Sequence, residues 1–516
     1  MCPINKENHE KFISKMKKAA EIVVLSLSLV FLFVLIALKL MASASVAYDK
    51  SERVSIQGEF PLVAILMAAL IVSVLFAITK LCKNAKALYL VFCGITLLAG
   101  ILYIWGVGGQ LREDPLHVYE TALQLSNKDF QAFEPGGYIF HKAHQLGLVT
   151  YERLLGLITF DVRLIFLLNL LFVNGINYLT YRLADLCFGQ KERVNVLTVC
   201  LSYLFLPQFF FVVFAYGLVP GFFFLLLGIY LVQKYFKNGG ALCAVLSIVS
   251  VTVAAGFKSN YLIGGIVVAL LALLHAMKQK QGRMLFVALT ALVLPVCTLK
   301  VLPLVYQLET GLPAVEGEPM ITYVAMGVNP MNDGAGPGWY DGSNYNWYKN
   351  AGYDHAKTVE RAEECLRNCM TVYKNEPVKT LKFFGRKTIS QWCEPMFQSV
   401  WSGPLEAMGQ QADSSILRPL FRGEGPEPYL REWMNGMLLL LYVGAFAFLI
   451  ICRSGEHGME YAFLFFIGGF LFHLVWEAKS QYIYPYVFIL IPSVASTLDF
   501  MYHEITKEPR KTKVKS

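Results

Sequence analysis

Apolar residues recur along the chain in twelve stretches of roughly membrane-spanning length. They cover residues 22–43, 60–80, 87–107, 164–187, 195–213, 215–236, 240–257, 260–277, 284–306, 433–452, 459–476 and 481–502. A perpendicular transmembrane helix needs about 20 predominantly apolar residues. The pattern therefore predicts an all-α polytopic membrane protein with about twelve transmembrane helices, the shorter ones extending into their flanks. No internal repeat and no low-complexity segment interrupts it.

The connections alternate in charge. Lys11, Lys15, Lys17 and Lys18 precede the first stretch, and Lys80, Lys83 and Lys86 separate the second and third. Arg182, Lys191 and Arg193, then Lys234 and Lys237, then Lys278, Lys280 and Arg283 mark every second loop that follows, and Lys507, Arg510, Lys511, Lys513 and Lys515 mark the tail. Short cytoplasmic loops carry the excess of Lys and Arg, so both termini are expected in the cytoplasm. The alternation holds only if 108–163 contains no complete span, which makes 146–160 an amphipathic helix lying at the outer surface. Ala42-Ser43-Ala44 resembles a signal-peptidase site, but the apolar run before it is long for a signal sequence.

Four regions follow. Residues 1–86 hold a cytoplasmic segment and an N-terminal transmembrane hairpin. Residues 87–306 form a core membrane region that includes the first outer loop, 108–163. Residues 307–432 form a large extracytoplasmic loop, helical from about 355 to 392. Residues 433–516 carry the last spans and a basic cytoplasmic tail. Loops as long as the two outer ones are usually functional or separately folded.

Composition agrees with a bilayer protein. Hydrophobic residues make up 56% and charged residues 16%, against about 25% charged in a soluble domain. The net charge of +8 follows the positive-inside bias, and no nucleic-acid-binding motif accompanies it. Most of the eleven cysteines lie in apolar runs, where Cys is a small hydrophobe. Cys365, Cys369 and Cys393 fall in the large loop, where a disulfide to Cys393 is one arrangement open to them. No metal-ligand set can be assembled, and no cofactor is expected.

Three clusters raise the question of chemistry. Arg112, Glu113 and Asp114 follow directly on the third span. They read either as a solvated boundary or as a carboxylate poised as general base over the lipid interface. Lys258 sits in an almost loop-free outer turn, either snorkelling or functional. Glu477, Lys479 and Tyr482 occupy another such turn, where an aromatic belt accounts for Tyr484 and Tyr486 but not for the Glu and Lys. His141, His144 and Gln145 precede the surface helix and could bind phosphate or sugar hydroxyls. All of these map to the outer interface. If they converge, lysines can stabilise a departing lipid phosphate while Asp114 takes the proton of an attacking hydroxyl.

Taken together, the stretches resemble the GT-C superfamily of membrane glycosyltransferases, in its bacterial branch related to protein O-mannosyltransferases and the aminoarabinose transferase of lipid A. The resemblance is carried by Asp114-Pro115 with Val118, Tyr119 and Ala122, and by Glu134-Pro-Gly-Gly-Tyr138 with His144-Gln-Leu-Gly147. Tyr216-Gly-Leu-Val-Pro-Gly221, Lys258, Asn332-Asp-Gly-Ala-Gly-Pro-Gly-Trp-Tyr340 and Glu477-Ala-Lys-Ser-Gln-Tyr482 complete it, over about residues 87–502. It implies a polyprenyl-phosphate-linked sugar donor, inversion at the anomeric carbon and a catalytic Asp114. It implies Lys258 and Lys479 on the donor phosphate, with Glu477, Tyr482, His144 and Tyr216 in the donor site. The acceptor would be a protein, a cell-wall polymer or a glycolipid on the outer face. Two departures stand out: an extra hairpin precedes the span feeding Asp114, and the acidic pair reads Glu113-Asp114, leaving open whether Glu113 shares the role. A lipid-linked polysaccharide polymerase or ligase and a twelve-span transporter are the rival readings, the latter weakened by the lack of a repeat.

Overall fold

The computed structural model describes residues 6–189, 191–279, 281–331, 334–451 and 458–506. The basic tail from Lys507, Lys280, and Asn332 and Asp333 of the Gly-rich stretch lie outside the described residues. Among those described, eight helices are long and apolar enough to cross a membrane: Lys18–Met41, Pro61–Leu81, Ala85–Val107, Val162–Phe188, Leu218–Asn238, Ser259–Met277, Arg283–Thr310 and Glu427–Ile451. Two bent pairs, Glu192–Leu204 with Pro207–Val213 and Ser480–Phe488 with Ile491–Thr506, raise the number to ten if each is one span. Their bends of 50° and 49° fall where Pro207 and Pro492 enter, because proline starts a helix well but cannot continue one. The last two apolar stretches form Ala241–Phe257 and Glu460–Val475, of 17 and 16 residues. The chain is an all-α, multi-pass membrane protein in which, among the described residues, eight to ten spans have full length.

Exposed apolar side chains mark the lipid-facing sides. Leu90, Leu98 and Leu102 on Ala85–Val107 and Phe286, Leu289 and Val293 on Arg283–Thr310 all project outward. They would be untenable in water, but hydrocarbon is their solvent.

The basic loops gather at one end. Glu192 accepts from the Ala85 amide (2.5 Å), and Arg193 reaches Asp499 (3.5 Å) and lies 4.0 Å over the Tyr502 ring. Cys187 donates to the Gly458 carbonyl (3.4 Å), and Phe236 stacks on His275 (4.3 Å). The two long polar segments cover the opposite end. The helix expected over 146–160 is shorter, Leu146–Gly156, and buries Leu146, Leu148, Val149 and Glu152, while Leu157 and Ile158 beyond it stay exposed.

One element is not legible as a strand pair in the sequence. Ala42–Val46 and Val54–Gly58 form an antiparallel hairpin. It is sewn to the large loop by Ala44 N–H to the Cys393 carbonyl (3.2 Å) and Val54 N–H to the Ala335 carbonyl (2.7 Å). Ser43 donates to Asn435 (3.1 Å), so Ala42-Ser43-Ala44 is built into the fold. The large loop itself contains Met320–Gly327, Ser343–Asn350, His355–Asn375 and Pro377–Trp392. The helical stretch expected at 355–392 is thus two helices, divided before Pro377. Lys387, fully buried, donates to the carbonyls of Gly327 (2.6 Å), Leu474 (3.1 Å) and Trp476 (2.7 Å). It fastens the loop to the turn after Glu460–Val475. The nine described cysteines are all free, Cys393 included, so no disulfide reaches Cys393 among the described residues.

Candidate active site

The chain leaves Ala85–Val107 through Gly108 (φ +85°) and re-enters a helix at Glu113–Ser126. Two carboxylates in the first turn of that helix suit the positive end of its dipole. Glu113 itself has φ +52°, a conformation that costs a non-glycine residue of order 1–3 kcal/mol unless its surroundings impose it. Arg112 supplies the imposition. Its buried guanidinium lies 3.9 Å over the Trp401 ring. It donates to the Gly403 carbonyl (3.1 Å) and to that of Trp401. Burial lowers the Arg112 pKa to about 10, with Glu52 and Glu113 opposing. The arginine that the sequence placed beside two acids is therefore chiefly an anchor between the first outer loop and the large one.

Anchored in this way, Asp114 points into a cavity of about 330 Å³, while Glu113 stays exposed at its rim. Tyr216 donates to Asp114 Oδ2 (2.8 Å) and Tyr138 to Oδ1 (3.2 Å). Gln145 in turn donates to the Tyr216 hydroxyl (2.7 Å). Burial would raise the Asp114 pKa, but Lys142, Lys479 and the two tyrosine hydroxyls outweigh it and hold the carboxyl below the usual aspartate range. It is a carboxylate at neutral pH.

Lys142 was not singled out in the sequence, although it stands between His141 and His144. It donates to Glu318 (2.9 Å) and the Tyr323 hydroxyl (2.8 Å). Glu318 is further bound by Tyr323 (2.7 Å) and Asn344 (2.7 Å). Burial works against the Lys142 charge; Glu318 and Asp114 overcome it and raise the pKa. His141 is buried beside Glu318 (3.7 Å) among Tyr345, Tyr348 and Tyr353, away from the cavity. His144 does line the cavity. Burial, then Lys142, lowers its pKa to about 3, leaving a neutral imidazole.

Glu477 and Lys479 arrive on the tight turn before Ser480–Tyr482. The Gly-rich stretch of the large loop positions them: Ala478 N–H bonds to the Gly338 carbonyl (2.8 Å). Gly338 has φ +72°, and a Cβ there would meet the Gly327 carbonyl oxygen at 2.5 Å, so only glycine fits. Trp339 next to it is fully buried and donates to Ser390 (2.9 Å). Lys479 is not free for a ligand. Both oxygens of Glu52 lie 2.9 Å from its ammonium, and Gln398 donates to the same carboxylate (2.8 Å). Burial opposes the Lys479 charge; Glu52 and Glu477 prevail and raise its pKa. The N-terminal hairpin, which reads in the sequence as an addition, thus reaches into the site through Glu52.

Lys258 is also placed differently from expectation. It lies between Ala241–Phe257 and Ser259–Tyr261, 4.3 Å above the Tyr216 ring and 4.8 Å from that of Tyr482. It faces a second, smaller chamber of about 40 Å³. His144, Tyr216, Tyr323, Glu477 and Tyr482 line both chambers and form the wall between them. Lys479 thus borders the large chamber and Lys258 the small one, within electrostatic reach of each other. Burial lowers the Lys258 pKa to about 8 against Asp114 and Glu477.

All eight residues singled out (Asp114, Glu113, Lys258, Lys479, Glu477, Tyr482, His144 and Tyr216) line one chamber or the other. Among the described residues no three His, Cys, Asp or Glu side chains group so as to hold a metal ion. No protein-family model matches the chain, and no curated protein matches it.

Proposed function

We propose that the protein is a membrane glycosyltransferase of the GT-C type, moving a sugar from a polyprenyl-phosphate donor to an acceptor on the outer face with inversion. The observation that carries this reading is the Asp114 carboxylate, ionised and oriented by two tyrosine hydroxyls, in a cavity ringed by lysines at one end of an apolar helix assembly. Asp114 takes the proton of an acceptor hydroxyl as that oxygen bonds to the anomeric carbon. The bond from that carbon to the donor phosphate breaks, and polyprenyl phosphate leaves with one more negative charge. Cations in a site of low dielectric stabilise that charge more than water can. Glu113, exposed at the rim, has no hydrogen bond to aim it among the described residues, so Asp114 is the base.

The test is to incubate purified protein with a panel of radiolabelled polyprenyl-phosphate sugars. Release of polyprenyl phosphate by wild type and not by Asp114→Asn supports the reading; undiminished release by the variant overturns it. Transport is favoured by one feature, the two bent helix pairs, since transporters bind substrate at broken helices. Here the break after Leu204 is filled by Phe205, packed on Phe397, Tyr484 and Phe488. Uptake of sugar into vesicles without turnover would favour that second reading.

A further inference from the structure

The small chamber holds two ionisable groups that the fold leaves without hydrogen-bonding partners. Among the described residues the Lys258 ammonium touches only the faces of Tyr216 and Tyr482. Glu477 is 6% exposed, and its carboxyl accepts no hydrogen bond, although it borders both chambers. Three neighbouring acids are answered: Asp114 by Tyr216 and Tyr138, Glu318 through one oxygen by Lys142, Tyr323 and Asn344, and Glu52 by Lys479 and Gln398. A buried carboxylate with no donor costs several kcal/mol and protonates instead.

The charges around Glu477 do not undo this. Lys479 and Lys142 favour its ionised form, and Glu52 and Asp114 oppose it, while desolvation is the largest influence. Lys258, before Ser259–Tyr261, and Lys387, on Pro377–Trp392, lie within electrostatic reach of it. Tyr323, Tyr340 and Tyr482 face it as neutral phenols. The balance raises the Glu477 pKa to about 7.

A pocket presenting one ammonium and one carboxylic acid O–H offers two donors to one anion. We propose that Glu477 acts as a neutral acid, donating a hydrogen bond to a phosphate oxygen that Lys258 binds across the small chamber. This rests on the reading of the ligand as a lipid phosphate. A carboxylate facing that phosphate would repel it; the acid both removes the repulsion and adds a bond. A group that must be protonated to bind loses affinity about tenfold per pH unit above its pKa.

The experiment measures binding of a short-chain prenyl phosphate to the full-length protein in detergent, by calorimetry, from about pH 5.5 to about pH 9. Wild type is expected to weaken progressively above about pH 7. Glu477→Gln, which keeps a donor and cannot ionise, is expected to bind as wild type does at low pH and to hold that affinity until Lys258 begins to lose its own proton. The ligand's own titration is common to both proteins, and loss of the Glu477 charge can only bring Lys258 deprotonation to lower pH in the variant, so affinity that the variant retains just above about pH 7 isolates Glu477. Superimposable curves overturn the proposal, as does loss of binding by Glu477→Gln with an unchanged unfolding temperature. If wild type binds no lipid phosphate at any pH, the glycosyltransferase reading falls as well, which separates the two failures.

Discussion

The two chambers share a wall but treat charge in opposite ways. In the large chamber the charged groups closest to Asp114 are paired, Lys142 with Glu318 and Lys479 with Glu52, and Asp114 itself is held by two tyrosines. In the small chamber Lys258 lies on aromatic faces and Glu477 has no donor. Paired charges in a low-dielectric site hold a geometry, and here they keep Asp114 ionised and aimed. Unpaired ones cost stability and are retained where a ligand completes them. On the proposed reading, proton transfer belongs to the large chamber and anion recognition to the small one.

The strongest way to break this comparison is at Asp114. Asp114→Asn preserves shape and hydrogen-bonding capacity but removes the base, and turnover should fall by about 10²- to 10⁴-fold with donor binding nearly intact. A parallel loss of binding, measured with a non-transferable donor, would mean that the large chamber recognises the anion too. Next in size is Lys258→Met, which removes a charge-assisted bond of roughly 1.5–3 kcal/mol. Donor affinity should weaken by about 10- to 100-fold, with a smaller change in kcat.

Lys142→Met probes the electrostatics rather than a contact. Lys142 is the leading cation holding the Asp114 pKa down. Its removal should raise that pKa and move the acidic limb of kcat/KM to higher pH. The rate at alkaline pH, where Asp114 is ionised in both proteins, should change less. An acidic limb at the wild-type position would show that Lys142 serves structure alone. The smallest effect, and the only gain, is expected from Glu52→Gln. Freeing Lys479 from its ion pair leaves a cation open to the large chamber, and KM for the donor should fall by roughly 3- to 10-fold, about the worth of one partly buried pair. An unchanged KM would confine Lys479 to the hairpin's attachment.

Fold and site differ in how far the sequence discloses them. The helices are legible because burial in lipid is a local demand, met by each run of apolar residues without reference to any other. The opening stretch of the first outer loop is legible too, since Asp114 follows so abruptly on a span. Lys142 is harder: it sits in a stretch already marked by His141 and His144, yet the histidines draw attention and the lysine does the electrostatic work. Glu52 is beyond reach. Nothing in Tyr48-Asp49-Lys50-Ser51-Glu52 points to a partner 427 positions away, and the short strands flanking it carry little apolar alternation.

By itself, then, the sequence determined a multi-pass helical membrane protein and the points where its chain emerges, because hydrophobic length and the following polar residues fix both locally. It also singled out Asp114, Lys258 and Lys479 among the residues that come together, through their places at the ends of apolar runs. Only the tertiary structure decided their pairing. Whether a lysine is spent on Glu318, as Lys142 is, spent on Glu52, as Lys479 is, or left for a ligand, as Lys258 is, depends on contacts between segments distant in the chain. Those contacts set the desolvation and the partners of each group, and these two quantities rather than residue type decide whether a charge in a buried site is a strut or a binding group.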